Sequence, residues 1–211
     1  MHIKKKSAND AWYSCLEQLF FSEEETGYDK YFRDSMVLIE VEQPYIEPIH
    51  PLFPMIQDDI DVINEFIYSG NNEGNVVHKW TKLYYHRMFD EPYSQVKFFI
   101  RELSKKEPSG RSQMSIWDKE IDQEAEIAPC TQIIWGRKKK GTLEFHVHAH
   151  SSDAYEKLLM NIQEFISLQH YIADKIGIKP GKYYHIIDSC HIKQKNKNFL
   201  SMNFQNQRSS I

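Results

Sequence analysis

A chain of 211 residues, 41% hydrophobic and 13% aromatic, has enough apolar material for one buried core. Its formal charge of -4 excludes the basic face of a general nucleic-acid binder, while leaving room for a small anionic ligand held by one or two local cations. Cys15, Cys130 and Cys190 are too few and too scattered for a disulfide framework, and no stretch approaches a signal peptide or the roughly 20 apolar residues of a membrane span, so the chain reads as soluble and cytoplasmic, with no membrane partner.

The first predicted helix covers 10–21, with Ala11, Trp12, Cys15, Leu16 and Leu19 at helical spacing and Asp10 as N-cap. A strand over 36–42 ends at Pro44, and Pro48, Pro51 and Pro54 mark an irregular connection. A helix is expected over 57–69 and another over 92–104, where Val96, Phe99, Ile100 and Leu103 form the stripe. Strands follow at about 112–117, 130–137 and 142–149, the last two joined by a charged hairpin tip, Arg137 to Gly141. The longest helical pattern, 154–176, ends at Gly177, a residue suited to the left-handed C-cap. A strand at 183–187 precedes Ser189-Cys190-His191, and residues 194–211 read as a polar, poorly ordered tail after one domain spanning 1–193. Helices and strands mix without a strict βαβ rhythm, which gives an α+β fold with one sheet packed on helices.

The chemistry concentrates in the second half. Cys130 follows Pro129, whose ring fixes its own φ and pushes Ala128 to extended geometry. A thiol so held reads as a nucleophile, or else as a small buried hydrophobe. Asn161 is a polar residue inside an apolar helix, bonded locally or offering both a donor and an acceptor to a ligand. His146, His148 and His150 alternate along a strand and share a face, which suits either a zinc ion or ordinary polar and stacking roles.

Taken in order, Gly110-Arg111-Ser112, Ala128-Pro129-Cys130-Thr131, His150-Ser151-Ser152-Asp153, Asn161 and Pro180 to His185, then Ser189-Cys190-His191, resemble the thymidylate synthase family. The likeness is to its short branch of archaeal-type synthases and pyrimidine nucleotide hydroxymethylases. It runs from about residue 80 to 193 and is best over 110–193. It implies a thymidylate-synthase-like fold, a homodimer packed sheet on sheet, a pyrimidine nucleotide substrate and 5,10-methylenetetrahydrofolate as one-carbon donor. In such a reaction a thiolate adds to carbon 6 of the ring, and carbon 5 becomes reactive as part of an enolate.

The resemblance makes Cys130 the nucleophile, Tyr84 a tyrosine near it, and Glu65 the glutamate that organises proton transfer. It makes Asn161 the reader of the base edge, tilted toward uracil; a carboxylate there would suit cytosine better. Ser151 and Arg111 become phosphate ligands, Arg111 reaching across the dimer as a guanidinium fork. His191 becomes a ribose ligand. Asp153 becomes the folate contact, or the N-cap of the following helix, or both.

Departures from the family pattern concern charge. His150 stands where the family has an arginine, Gly110 where it has the first arginine of the cross-dimer pair, Lys193 where it has a tyrosine, and Thr131 after the cysteine. Arg33 is available as an N-terminal phosphate ligand. An imidazole titrates near 6.5, so His150 is expected to pair with the Cys130 thiolate or a phosphate only while protonated. The reading is an enzyme that methylates or hydroxymethylates carbon 5 of a pyrimidine nucleotide. Beside it stand a nucleotide-binding protein on the same fold with altered catalysis, and a metal-dependent enzyme built on the histidine strand.

Overall fold

The computed structural model describes residues 1–23, 26–106 and 110–208, with side chains as far as Gln205. Six strands form one sheet in the order β1-β2-β6-β5-β4-β3: β1 His2–Lys5, β2 Tyr31–Val41, β3 Gln113–Ser115, β4 Thr131–Lys139, β5 Thr142–Asp153 and β6 Lys179–Lys193. β1 runs parallel to β2 and β5 parallel to β6; the other neighbours are antiparallel. Helices α1 Ala8–Phe20, α2 Gln57–Ser69, α3 Lys79–Phe89, α4 Gln95–Ser104, α5 Leu158–Ile176 and α6 Lys197–Arg208 complete an α+β architecture. Among the described residues, no helix is long and apolar enough to cross a membrane.

α5 is the crossover between the parallel strands β5 and β6 and is the central helix. It is buried nearly all round: Leu158, Ile162, Phe165, Ile166, Ile172 and even Gln163, Ser167 and Gln169 are sealed from water. A buried amide needs partners. Gln169 finds them by donating to the Leu143 carbonyl at 2.8 Å and the Gly181 carbonyl at 3.1 Å, which ties the helix to β5 and to the start of β6. Ser167 donates to Asn64 Oδ1 at 2.8 Å, fixing α5 against α2.

The helix expected over 57–69 occupies Gln57–Ser69 and ends on Gly70 in the left-handed region, at φ 74°. The hairpin tip is as short as a two-residue turn permits, with Lys140 at φ 51° and Gly141 at φ 78°, both positive as a type I′ turn requires. Other boundaries move for identifiable reasons. α1 is capped by Ser7, whose hydroxyl accepts from the Asp10 N–H at 3.1 Å, so Asp10 lies inside the helix. α4 starts at Ser94 as N-cap, which leaves Pro92 outside it. α5 starts at Leu158 because Asp153 Oδ1 accepts from the backbone of Tyr155 and Glu156, closing a turn before any helical ladder begins. α3 is an addition, with Thr81, Tyr84 and Met88 facing inward at spacings of three and four. α6 overturns the expectation of a poorly ordered tail: Leu200 and Phe204, one turn apart, are buried, and the Phe204 ring packs 5.1 Å from Phe20 and 5.9 Å from Tyr13.

Candidate active site

Cys130 is the last residue before β4. Its carbonyl accepts from the His150 N–H at 3.0 Å, which pins it to β5, and the β4–β5 register breaks between Thr131 and Ile133, immediately after it. The loop leading to it is anchored by Arg87 of α3, whose guanidinium grips the nearly buried Asp122 carboxylate by a two-pronged contact of 2.5 and 2.8 Å and also donates to the Ile116 carbonyl. The end of β5 pairs with the end of β6, Ser151 opposite Ser189 and Asp153 opposite His191. Asn161 lies in the first turn of α5, and Tyr84 Oη accepts from the Thr131 N–H at 3.5 Å.

These elements enclose a cavity of about 280 Å³. Cys130, Tyr84, Ser151, Asp153, Asn161 and His191 all line it, although they come from four different elements and one loop. A larger depression of about 620 Å³, around Pro92, Tyr93 and Phe98, contains no cysteine or histidine, so the chemistry belongs to the smaller cavity. Cys130 is half-buried, and burial pushes its thiol up. Cys15 and Cys190 are fully buried. The Asn161 carboxamide oxygen and His191 Nδ1 are buried without a hydrogen-bond partner, as expected of groups that wait for a ligand. Tyr31 stacks on the His191 ring at 3.8 Å and holds it in place.

Family-model comparison matches residues 55–210 to thymidylate synthase. The chain belongs to the thymidylate synthase family. A protein of Methanocaldococcus jannaschii described as "Putative thymidylate synthase" is 26% identical over 203 residues, covering 90% of this chain and 89% of its own length. A protein of Methanosarcina barkeri with the same description is 23% identical over 195 residues, with 90% and 88% covered. The solved structure of thermostable thymidylate synthase A from Bacillus subtilis superposes with a TM-score of 0.73 at 16% identity, covering 95% of this chain and 84% of that one; this likeness concerns the fold.

Three residues assigned by the thymidylate synthase pattern do not line the cavity. His150 follows the strand alternation onto the opposite sheet face from Ser151, beside Trp117 at 6.2 Å, and burial lowers its pKa, so it stays neutral at pH 7. His150→Ala is therefore expected to change kcat/KM less than about threefold, without moving the pH profile; a steady-state titration of both proteins checks it. Arg111 is exposed near β3, its guanidinium 5.7 Å from the Phe98 ring. Glu65 is exposed on α2 and accepts from Asn72 Nδ2 at 3.0 Å. Arg33, beyond the cavity, donates to the Phe32 carbonyl. The histidine strand gathers no ion site: His146 stacks on Tyr184 at 4.6 Å and His148 bonds Asp188 at 3.1 Å, and no group of three His, Cys, Asp or Glu able to hold a metal occurs among the described residues.

The cavity also contains residues the motifs did not single out. His78 and Trp80, at the entry to α3, form one wall, and burial holds His78 neutral, its pKa pushed down to about 4. Lys157 and Lys193 are the cations of the site. Lys193 Nζ lies 2.9 Å from Asp153 and 2.8 Å from Glu156. Burial opposes ionisation of Glu156, yet hydrogen bonds from Lys193, Lys195 and Asn196 hold it down at about 2. Glu164 is fully buried on α5, one turn beyond Asn161 and next to Phe165, whose ring packs 5.9 Å from Tyr84; neither carboxyl oxygen has a well-formed hydrogen bond, and burial raises its pKa to about 8. In the sequence Glu164 is one of several polar residues on α5, and nothing sets it apart.

Proposed function

We propose that the protein transfers a one-carbon unit from 5,10-methylenetetrahydrofolate to carbon 5 of a pyrimidine nucleotide, through a Cys130 thiolate adduct at carbon 6. The observation that carries this reading is the convergence of Cys130, Tyr84, Asn161, Ser151, Asp153 and His191 on one cavity. Asn161 presents a donor and an acceptor to the base edge, Ser151 takes the phosphate and His191 the ribose. Methylenetetrahydrofolate supplies the carbon that joins carbon 5. The residues present fit it: the Asp153 carboxylate can accept from a pterin edge, and the flat Trp80 ring offers a stacking surface. Lys193 and Lys157 provide cationic charge in a cavity with no arginine among the described residues.

Release of tritium from carbon 5 of labelled uridine and cytidine nucleotides, with methylenetetrahydrofolate, tests the reading. Release is expected, with uracil preferred over cytosine. Its absence with every pyrimidine would replace this reading by a nucleotide-binding protein of altered catalysis, to which the lack of arginines lends weight. Product analysis separates a methyl from a hydroxymethyl outcome.

Assembly follows from the sheet. Helices cover one face; Leu38, Ile133, Trp135, Tyr184 and Ile186 on the other lie outside the helical core and are only partly buried, and Met36 is 49% exposed. We assign this face to a homodimer, in which Arg111 of one protomer serves its partner's phosphate site. Ile186→Arg places a charge in that face and is expected to give a monomer by sedimentation equilibrium; an unchanged mass would remove the assignment.

A further inference from the structure

We propose that Glu164 is the proton-holding group that activates Cys130, acting through the Tyr84 hydroxyl. This rests on the reading of Cys130 as a nucleophile.

Burial pushes the Cys130 thiol up, and among the described residues no lysine, arginine or protonated histidine offsets it. A thiol in that setting must give its proton to a base as it attacks. The candidates along the sequence do not serve: Glu65 and His150 do not line the cavity. Tyr84 does line it with Cys130, and its ring packs 5.9 Å from that of Phe165, the residue next to Glu164 on α5. Its oxygen accepts the Thr131 N–H, so the phenol hydrogen is left to donate elsewhere.

Among the described residues no cation pairs with Glu164, and the Thr81 hydroxyl is its hydrogen-bonding neighbour. A carboxyl sealed from water is costly unless paired, and an apolar side chain would suit a helix buried on all sides better. Its surroundings are Thr81 and Tyr84 on α3 and Tyr183 on β6, whose hydroxyl bonds His185 Nδ1 at 2.9 Å; α2 presents Ile60 and Ile63 to the core. His185 is held neutral by burial, with a pKa near 3, and among the described residues only the Thr81 hydroxyl favours the charged carboxylate. An acid of pKa about 8 is matched to accepting a proton near neutral pH.

The step balances without any further reactant. The ionised Glu164 takes the phenol hydrogen of Tyr84 while Tyr84 takes the thiol hydrogen of Cys130. The S–H bond and one phenol O–H bond break; a carboxyl O–H and a new phenol O–H form. The sulfur electron pair then bonds carbon 6 of the pyrimidine, and the carbon 5–carbon 6 π electrons move into the ring as the enolate.

Tritium release measured against pH tests this in the full chain. Glu164→Gln and Tyr84→Phe are each expected to lower kcat/KM by about 10²–10⁴-fold and to remove a rising limb centred near pH 8 in the parent. The double variant is expected to be no worse than either single one, because both interrupt one path. A Glu164→Gln protein that keeps the limb has lost only packing, and the proposal is then wrong while the one-carbon reading stands. If the parent releases no tritium, the one-carbon reading fails, and alkylation of Cys130 by iodoacetamide examines the link without substrate. Glu164 takes the thiol proton in this path, so alkylation near pH 8 is expected to slow in Glu164→Gln; coincident pH–rate curves would overturn the link between the two groups.

Discussion

Cys130→Ser is expected to reduce tritium release from carbon 5 by roughly four orders of magnitude or more, while leaving the fold in place. A serine hydroxyl does not ionise near neutral pH, so the addition at carbon 6 loses its nucleophile. The other two thiols cannot substitute, since Cys15 and Cys190 are fully buried on α1 and β6. The substitution is nearly isosteric at a half-buried position, so unfolding by urea should shift by less than about 1 kcal/mol. Residual release above about one part in a hundred would mean that another group attacks the ring or that no covalent adduct forms.

The second large effect concerns stability. Glu164 has a folded-state pKa of about 8 against the ordinary 4.5 of a glutamate in water. Between these two values the folded protein keeps a proton that the unfolded chain gives up. Stability contributed by this site therefore falls as pH rises from about 4.5 to about 8, and is level above that. Glutamine has no such proton. Glu164→Gln should match the parent below pH 4.5 and exceed it at pH 8 by up to roughly 4–5 kcal/mol. Urea unfolding of both proteins at the two ends of this range measures the difference. Parallel stability curves would mean that water or a partner reaches the carboxyl. A variant more stable and less active than its parent would be a group retained for chemistry at the expense of the fold.

The elements that sequence periodicity reads best are those with one buried face. α2 is such a helix, and its ends fall where Gln57 and Gly70 place them. α5 is covered on all sides, so polarity stopped being a guide to exposure, and Glu164 within it carried no hint of depth. That Cys130, Ser151, Asp153, Asn161 and His191 meet at one cavity is legible from the fixed order of their motifs, and the parallel β5–β6 register brings Ser151 opposite Ser189 and Asp153 opposite His191. His150 was placed by motif alignment, while strand alternation sends its side chain to the far face from Ser151. Glu65 shared a helix with the core-facing Ile63 and Phe66 yet points outward, since one residue's step rotates a helical side chain by about 100°. Leu200 and Phe204 were too sparse to outweigh the polar residues around them, although two apolar groups one turn apart suffice to pin α6.

The sheet closes at its margins with two very short strands, β1 of four residues and β3 of three. So few unpaired amides give an incoming strand little to zip onto, and chains at high concentration have no ready edge from which to grow a fibril. That leaves the broad flat side for self-recognition, where the proposed two-fold contact would close on itself and stop at two copies.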